Sequence, residues 1–305
     1  MKKARLTRRK FVTVAAAGAG SLIIGKKAIA SATVDISDAG VDPFKIVTLG
    51  KTGIKTTLLG MGTGFNGYNR TSSITRAGVA ESVIRYAYEK GIRYFDCADS
   101  YGTHTYVRDA LKSYPRESYV IGTKMWVTRG GIPEPERPDA EIVIDRFRKE
   151  LNTDYIDLVQ LHCMTSGSWN DEQKRFLDGL EKLKAKNIIR AHGVSIHSLN
   201  AMKTASESQW VDTVHVRINP YGESMDSREP SDVVTFIKKL HDSGKGVIGM
   251  KLIGNGSFKD DSEKINESLK YVLSLRTVDM IIVGFEKPEQ IDDYINRMKK
   301  TIIRL

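Results

Sequence analysis

RYFDCADSYG, residues 93–102, passes from a short apolar run directly into two aspartates and a tyrosine. Seven other short β-rich runs occur in the chain, and they begin near residues 58, 119, 155, 189, 213, 246 and 280. Longer amphipathic segments separate these runs, for example AGVAESVIRYAYEKG (77–91) and DAEIVIDRFRKELN (139–152). Eight strands, each followed by a helix, within about 250 residues predict an α/β fold of the (β/α)8 TIM-barrel type.

The second of these segments predicts a helix with four apolar side chains on one face: Ile142, Ile144, Phe147 and Leu151. A doubly wound sheet is the alternative fold, and it would require a glycine-rich phosphate-binding turn after its first strand. LLGMGTGFNG, residues 58–67, matches the pattern G-x-G-x-x-G poorly, so the barrel is favoured.

The net charge of +10 is concentrated at the N-terminus. Residues 1–32 contain eight lysines and arginines and no acidic residue, whereas the remainder of the chain has 39 basic and 37 acidic residues. Because positive and negative charges are nearly balanced in the rest of the chain, its composition gives no support for a nucleic-acid partner.

The N-terminal segment combines the parts of an export signal. A basic start precedes an Ala/Gly-rich apolar stretch over residues 11–25, and small residues at 28–32 offer a cleavage site as AIA or ASA. TRRKFV, residues 7–12, resembles the bacterial twin-arginine (Tat) signal, which implies the Tat export machinery as a partner and a periplasmic or otherwise exported protein. The apolar stretch is too short for a stable membrane span. An uncleaved amphipathic tail is the alternative.

These features divide the chain into a signal peptide (1–32), a polar linker (33–43) and a barrel (44–305). The two cysteines, Cys97 and Cys163, follow predicted strands and are expected to be buried thiols, because a disulfide framework would need more of them. The six histidines include no metal-ligand spacing, so no metal site is predicted.

Polar residues at the carboxyl ends of strands face the active site of a barrel of this type. Three strand ends carry Asp96, Lys124 and His162, and Tyr101 follows in the loop after the first of them. Burying an unpaired charge costs several kcal/mol, so Asp96 and Lys124 are expected to pair.

The same four residues suggest a reaction. The Lys124 ammonium is predicted to lower the pKa of the Tyr101 phenol, and His162 to hydrogen-bond a substrate oxygen. A phenol suits protonation of the alkoxide that forms when hydride reaches a carbonyl. Because no side chain supplies hydride, this chemistry requires a cofactor.

The sequence resembles the aldo-keto reductase family over nearly all of residues 44–300. FDCADSYG is similar to the family's FDTA-x-x-YG, and IGTK and LVQLH match its lysine and histidine segments. The resemblance implies that the four residues above form the family's catalytic tetrad, with Tyr101 as general acid. It also implies that the hairpin predicted over KIVTLGKTGIKTTLLG (45–60) closes the barrel bottom. Asp99 is outside the tetrad and is expected to be a solvated loop residue or a local cap.

The resemblance also implies residues for the nicotinamide end of a cofactor. HGVSIHS is similar to the family's G-V-S-N segment and matches it at Ser195, although isoleucine replaces the asparagine. His215 occupies the place of the family's glutamine, and Met250 that of the aromatic residue that stacks on the nicotinamide. The segment M-K-x-x-G-x-G is similar to that of a divergent branch of the family, and it adds Lys251 and Gly254 as candidate cofactor residues.

IVGFEKPEQIDDY resembles the family's adenosine-binding segment V-G-x-x-x-P-E-R-L-x-E-N. The candidate residues here are Gly284, Lys287, Gln290 and Asp293. Gln290 replaces the arginine that would bind a 2′-phosphate, and Lys287 offers another cation. The implied cofactor is NADP(H), with NAD(H) as the alternative.

Two functions are consistent with these observations. The first is an exported NAD(P)-dependent oxidoreductase that reduces an aldehyde, ketone or sugar carbonyl to an alcohol, or catalyses the reverse. The second is a catalytically altered barrel that binds a ligand but has lost cofactor binding, because Ile196, Met250 and Gln290 depart from the family pattern.

Overall fold

The computed structural model describes residues 40–303. The strands in this part of the chain are β1 (Ile46–Thr48), β2 (Lys55–Thr57), β3 (Leu59–Gly62), β4 (Tyr94–Asp96), β5 (Val120–Met125), β6 (Ile156–Met164), β7 (Ile189–Ile196), β8 (Thr213–Arg217), β9 (Gly246–Met250) and β10 (Met280–Gly284). The α-helices are α1 (Ser73–Arg76), α2 (Ala80–Lys90), α3 (His104–Leu111), α4 (Ala140–Leu151), α5 (Trp169–Glu172), α6 (Lys174–Ala185), α7 (Leu199–Glu207), α8 (Pro230–Asp242), α9 (Ser262–Ser274) and α10 (Pro288–Lys300).

Strands β3 to β10 form a closed barrel. Each strand pairs in parallel with the next in chain order, and β10 pairs with β3 to complete the circle. At least one α-helix follows every barrel strand. This topology confirms the predicted (β/α)8 fold, and each barrel strand begins within one residue of its expected start.

The hairpin of β1 and β2 closes the amino-terminal end of the barrel. The two strands pair antiparallel, with Val47 opposite Thr56. Leu49 and Ile54, at the turn, are fully buried and pack with interior side chains of the barrel such as Tyr94. The turn is also tied to the barrel by a hydrogen bond of 2.9 Å from the Lys51 amide to the Gly244 carbonyl. The predicted hairpin and its position are therefore confirmed.

The barrel interior changes from apolar to polar toward the carboxyl ends of the strands. Because strand side chains alternate between two faces, Val120, Gly122 and Lys124 of β5 all face inward. Val120 packs among apolar residues, whereas Gly122 leaves room for Tyr94, whose hydroxyl would lie 2.0 Å from a Cβ at that position. Lys124 then reaches the mouth of the barrel. The two-residue alternation of side chains along β5 therefore places a charged group at the site.

The outer helices bury one face each against the strands. In α4 the buried residues are Ala140, Val143, Ile144, Phe147 and Leu151. The expectation that Ile142 shares this face is wrong, since its side chain is 63% exposed. The buried set follows the spacing i, i+3, i+4, i+7 that one face of a helix requires, and position 142 falls outside it.

The predicted signal peptide (1–32) and the first seven residues of the predicted linker lie outside the described residues. Among residues 40–303, no helix has the length and apolar character needed to cross a membrane.

Candidate active site

Asp96 and Lys124 form a buried ion pair at the mouth of the barrel. Asp96 ends β4 and Lys124 is the fifth residue of the neighbouring strand β5. The Lys124 ammonium donates to both carboxylate oxygens, at 2.6 and 2.5 Å, and to the Cys97 carbonyl at 3.1 Å. The predicted pair is therefore present, and each charge neutralises the other.

His215 is a third member of this buried cluster. Its Nε2 lies 3.1 Å from Asp96 Oδ1, but the contact is not aligned as a hydrogen bond. Burial lowers the pKa of His215, so the imidazole is neutral near pH 7. Burial opposes ionisation of Asp96, but attraction from the Lys124 ammonium outweighs it and the pKa of Asp96 falls below its usual value.

Tyr101 is held at the mouth by a short 3-10 turn over Asp99–Tyr101. Gly102 ends the turn with a φ of 62°, a conformation that favours glycine. The loop after β3 covers the phenol ring, because a Cβ at Gly64 or Gly67 would lie 2.1 or 2.4 Å from it. Glycines at these two positions therefore allow the backbone to pack directly on Tyr101.

His162, near the end of β6, faces the Tyr101 hydroxyl. Its Nε2 is 3.4 Å from Tyr101 Oη, and the Ser100 Oγ is 3.5 Å from its Nδ1. Burial, together with the charge on Lys124, lowers the pKa of His162 well below its usual value. The Nε2 atom of this neutral ring is directed at the reacting end of the site, where it can take part in a hydrogen bond.

The pKa of Tyr101 is raised, so the predicted lowering of this pKa is wrong. Burial is the main cause, and the negative charge of Asp96 adds to it. The Lys124 ammonium lies 5.1 Å from the centre of the phenol ring, and both oxygens of Asp96 already bind it. The phenol is therefore a neutral proton donor at physiological pH.

The expectation of a solvated Asp99 is also wrong. Its side chain is 2% exposed and accepts from Arg70 Nε at 2.9 Å and from Arg146 Nη2 at 2.8 Å. Arg70 also contacts Glu134, and Arg146 contacts Glu150. Sequence spacing could not reveal this network, because its members come from three separate loops and a helix.

An open cleft leads from Tyr101 along the carboxyl ends of β9, β10 and β3. Four candidate cofactor residues line it: Met250, Lys251, Gly284 and Gln290. The wall also includes Lys259, Asn255, Phe65 and Tyr294, which the sequence did not single out as cofactor residues. The cleft presents two lysines and exposed glycine backbone, and both are features that bind phosphate groups.

The other five candidate cofactor residues do not line this cleft. Ser195 Oγ accepts a hydrogen bond from the Cys163 amide at 3.1 Å, and His215 lies beneath the mouth against Asp96. Asp293 pairs with Arg297 on the exposed side of α10, and Lys287 is exposed at the start of that helix. Gly254 is the buried residue of a 3-10 turn over Gly254–Gly256. The cofactor roles of all nine residues stay predictions.

The two thiols differ in exposure. Cys97 is buried, whereas Cys163 is half-buried at a bulge in β6 and lies 3.6 Å from His197 Nε2. Burial raises the pKa of Cys97 to about 12 and that of Cys163 to about 11. Both are therefore thiols rather than thiolates near pH 7. The described residues include no group of three His, Cys, Asp or Glu side chains arranged to hold a metal.

Trp126 is a further residue of the site. Its indole packs edge-on against the His162 imidazole, with 5.0 Å between ring centres. Trp126 follows β5 directly, which places it at the carboxyl end of a barrel strand.

Comparison with known proteins shows the family to which the chain belongs. The sequence model of the Aldo/keto reductase family matches residues 58–268, so the chain belongs to the aldo/keto reductase family. "Probable aldo-keto reductase 1" of Glycine max is 26% identical over 231 residues, which cover 73% of this chain and 62% of that protein. "Uncharacterized oxidoreductase YqkF" of Bacillus subtilis (strain 168) is 25% identical over 261 residues, which cover 72% and 82%.

Solved structures share the fold. The holo form of aldo-keto reductase AKR11C1 from Bacillus halodurans superposes with a TM-score of 0.67 at 20% identity, covering 85% of this chain and 92% of that one. An aldo/keto reductase from Brucella melitensis gives a TM-score of 0.61 at 18% identity, covering 84% and 94%.

Proposed function

We propose that the protein reduces the carbonyl group of an aldehyde, ketone or sugar to an alcohol, using a nicotinamide dinucleotide. One observation supports this most strongly: a neutral phenol, Tyr101, lies at the barrel mouth with His162 Nε2 3.4 Å from its oxygen. A neutral phenol can give up a proton, as the reduction of a carbonyl to an alcohol requires.

When bound, a dihydronicotinamide would supply the hydride that the carbonyl carbon requires. Tyr101 transfers its hydroxyl proton to the carbonyl oxygen as negative charge develops there. His162 donates from Nε2 to the same oxygen and orients it. Lys124, held by Asp96, has its ammonium 5.1 Å from the centre of the phenol ring, and this cation–π contact holds the ring in place.

The cofactor is NADP(H) by the family default, with NAD(H) as the alternative. Lys251 and Lys259 would face its phosphates, Gly284 would allow close approach of the backbone, and Met250 would contact the nicotinamide. Gln290 offers no charge for a 2′-phosphate, and its Oε1 accepts a hydrogen bond from the Glu286 amide at 2.7 Å. Both dinucleotides are therefore tested.

Purified protein is titrated with NADPH and separately with NADH while nicotinamide fluorescence is followed. Nucleotide released by denaturing freshly isolated protein is identified by mass spectrometry. Binding of either dinucleotide, followed by reduction of a panel of aldehydes, ketones and sugars, supports the reductase. Absence of a fluorescence change and of released nucleotide contradicts it.

A ligand-binding barrel without cofactor is the second candidate, and a specific observation favours it. Ser195 Oγ and Gln290 Oε1 are two polar groups expected at the cofactor, and both already accept hydrogen bonds from backbone amides. The same titration separates the two functions, because a barrel of this kind would bind neither dinucleotide.

We also propose that the protein is exported by the twin-arginine machinery to the periplasm or beyond. The TRRKFV motif at residues 7–12 and the apolar stretch after it support this proposal. Replacing Arg8 and Arg9 by lysine is expected to retain the protein in the cytoplasm, as measured by cell fractionation. Unchanged distribution would contradict export by this route.

A further inference from the structure

Asp99 has surroundings that proton transfer by Tyr101 does not itself require. One buried carboxylate binds two guanidinium groups, which come from the loop after β3 (Arg70) and from the outer helix α4 (Arg146). A buried ion pair contributes little net stability, because desolvation offsets the attraction. The contacts of this carboxylate instead connect separate segments around Tyr101.

Arg70 is fastened to the turn that carries Tyr101. Its side chain binds Asp99, and its backbone amide donates to the Ser100 carbonyl at 3.0 Å. A Cβ at Gly102 would lie 1.9 Å from the Arg70 carbonyl oxygen, so the two backbones are in close contact. Arg70 thus touches residues on both sides of Tyr101.

The same segment is fastened to the loop between β5 and α4. The Arg70 guanidinium contacts Glu134, and the Asn69 amide donates to the Gly131 carbonyl at 3.0 Å. Gly131 in turn packs on Trp126, because a Cβ there would lie 2.2 Å from the indole. Trp126 is the residue that packs edge-on against His162.

We propose that Asp99 and Arg70 are positioning residues that fix the distance between Tyr101 and His162. Arg70 connects the turn that holds the phenol to the loop that holds Trp126 on the imidazole, and Asp99 anchors Arg70. This inference rests on the proposed function, since a proton from Tyr101 and a hydrogen bond from His162 must reach one oxygen. A misplacement of about 1 Å in such a site can lower the rate by on the order of a hundredfold.

The kinetic test compares Asp99→Asn and Arg70→Met with a control, Asp109→Asn. Asp109 also pairs with an arginine, Arg108, but on the exposed side of α3. We expect kcat to fall about tenfold or more in both test variants, with KM changed less than about threefold, and no change in the control. Arg70→Lys, which keeps the charge but cannot bridge both carboxylates, is expected to recover part of the activity.

A thermal unfolding curve for each variant separates positioning from stability. If kcat per folded molecule is unchanged and only the melting temperature falls, Asp99 and Arg70 are structural residues and the proposal is overturned. If Asp99→Asn does not fold, Arg70→Met decides the question, because the Arg70 side chain is partly exposed.

A measurement independent of activity tests the connection to Trp126. Acrylamide quenching of tryptophan fluorescence is measured for wild type and Arg70→Met, and each value is corrected by subtracting that of the corresponding Trp126→Phe protein. We expect Arg70→Met to increase quenching of Trp126. If wild type reduces no carbonyl, the proposed function fails and quenching alone decides about the connection. Unchanged quenching overturns it.

Discussion

The two walls of the barrel mouth differ in how completely their charges are satisfied. The tetrad wall, formed by the ends of β4, β5 and β6 with the turn at Tyr101, has its buried ammonium bound by a buried carboxylate. The cofactor wall, formed by the ends of β9, β10 and β3, presents Lys251 and Lys259, for which the described residues provide no ion-pair partner.

The difference indicates which wall is complete without a ligand. Burial and repulsion from Arg217 lower the pKa of Lys251, so this wall would gain most from an anion. The tetrad wall needs no added charge, because its geometry is fixed by its own ion pair. Substitutions in the tetrad wall should therefore lower kcat or stability, whereas substitutions in the cofactor wall should lower the affinity for the dinucleotide.

The largest effect is expected at the tetrad wall, for Tyr101→Phe. Removing the hydroxyl removes the proton donor and leaves the ring in place, so kcat is expected to fall by about 10²–10⁴-fold. The dinucleotide dissociation constant, measured by fluorescence, should change little. Reduction at an undiminished rate would exclude Tyr101 as the acid.

Lys124→Met tests the ion pair itself. It leaves Asp96 charged, buried and without its main partner, so the free energy of unfolding is expected to fall by about 3–5 kcal/mol. Lys149→Met is the matched control, because Lys149 pairs with Asp145 on the exposed side of α4 and should cost at most about 1 kcal/mol. Urea unfolding measures both, and equal losses would contradict the assignment.

Lys251→Met tests the cofactor wall. A hydrogen bond to a charged phosphate contributes about 1.5–3 kcal/mol, so dinucleotide affinity is expected to fall about 10–100-fold without loss of stability. Lys238→Met provides the control, since Lys238 pairs with Asp242 on the exposed part of α8. Unchanged affinity in a fluorescence titration would remove Lys251 from the binding site.

His197, which directly follows β7, makes the stability of the protein sensitive to acid. Burial, with repulsion from Arg217 and Lys251, lowers the pKa of His197 to about 3. The unfolded chain therefore takes up this proton first, and stability present above about pH 6.5 is lost as the pH falls toward 3. In urea unfolding between these values, His197→Asn is expected to lower the pH slope by at most about 1.4 kcal/mol per unit. An unchanged slope would show that His197 is already charged in the fold.

The smallest effect is expected for Met250→Tyr, which places an aromatic ring on the cofactor wall. Stacking on a nicotinamide adds about 0.5–1.5 kcal/mol, so the dissociation constant is expected to fall about two- to tenfold. The control is Met225→Leu, away from the lining of the cleft. Weaker binding would mean that Met250 does not face the nicotinamide.

Much of the fold was predictable because it depends on local patterns. Alternation along short strands and the spacing of apolar residues in helices gave the barrel, and the strand ends identified Asp96, Lys124 and His162. The error at Ile142 was local, because position 142 lies outside the buried face of the helix although its side chain is apolar. The errors at Asp99 and at the Tyr101 pKa were of another kind, because both depend on burial among distant residues.

The sequence by itself determined the barrel, the order of its strands and the residues at their carboxyl ends, because periodicity and chain direction are properties of the sequence. Tertiary structure decided which charges face one another and how deeply each is buried. Asp96 and Asp99 are three residues apart, yet one binds a lysine inside the barrel and the other binds two arginines outside it. That outcome depends on which segments the fold brings together, and pKa values follow from the resulting distances and loss of water.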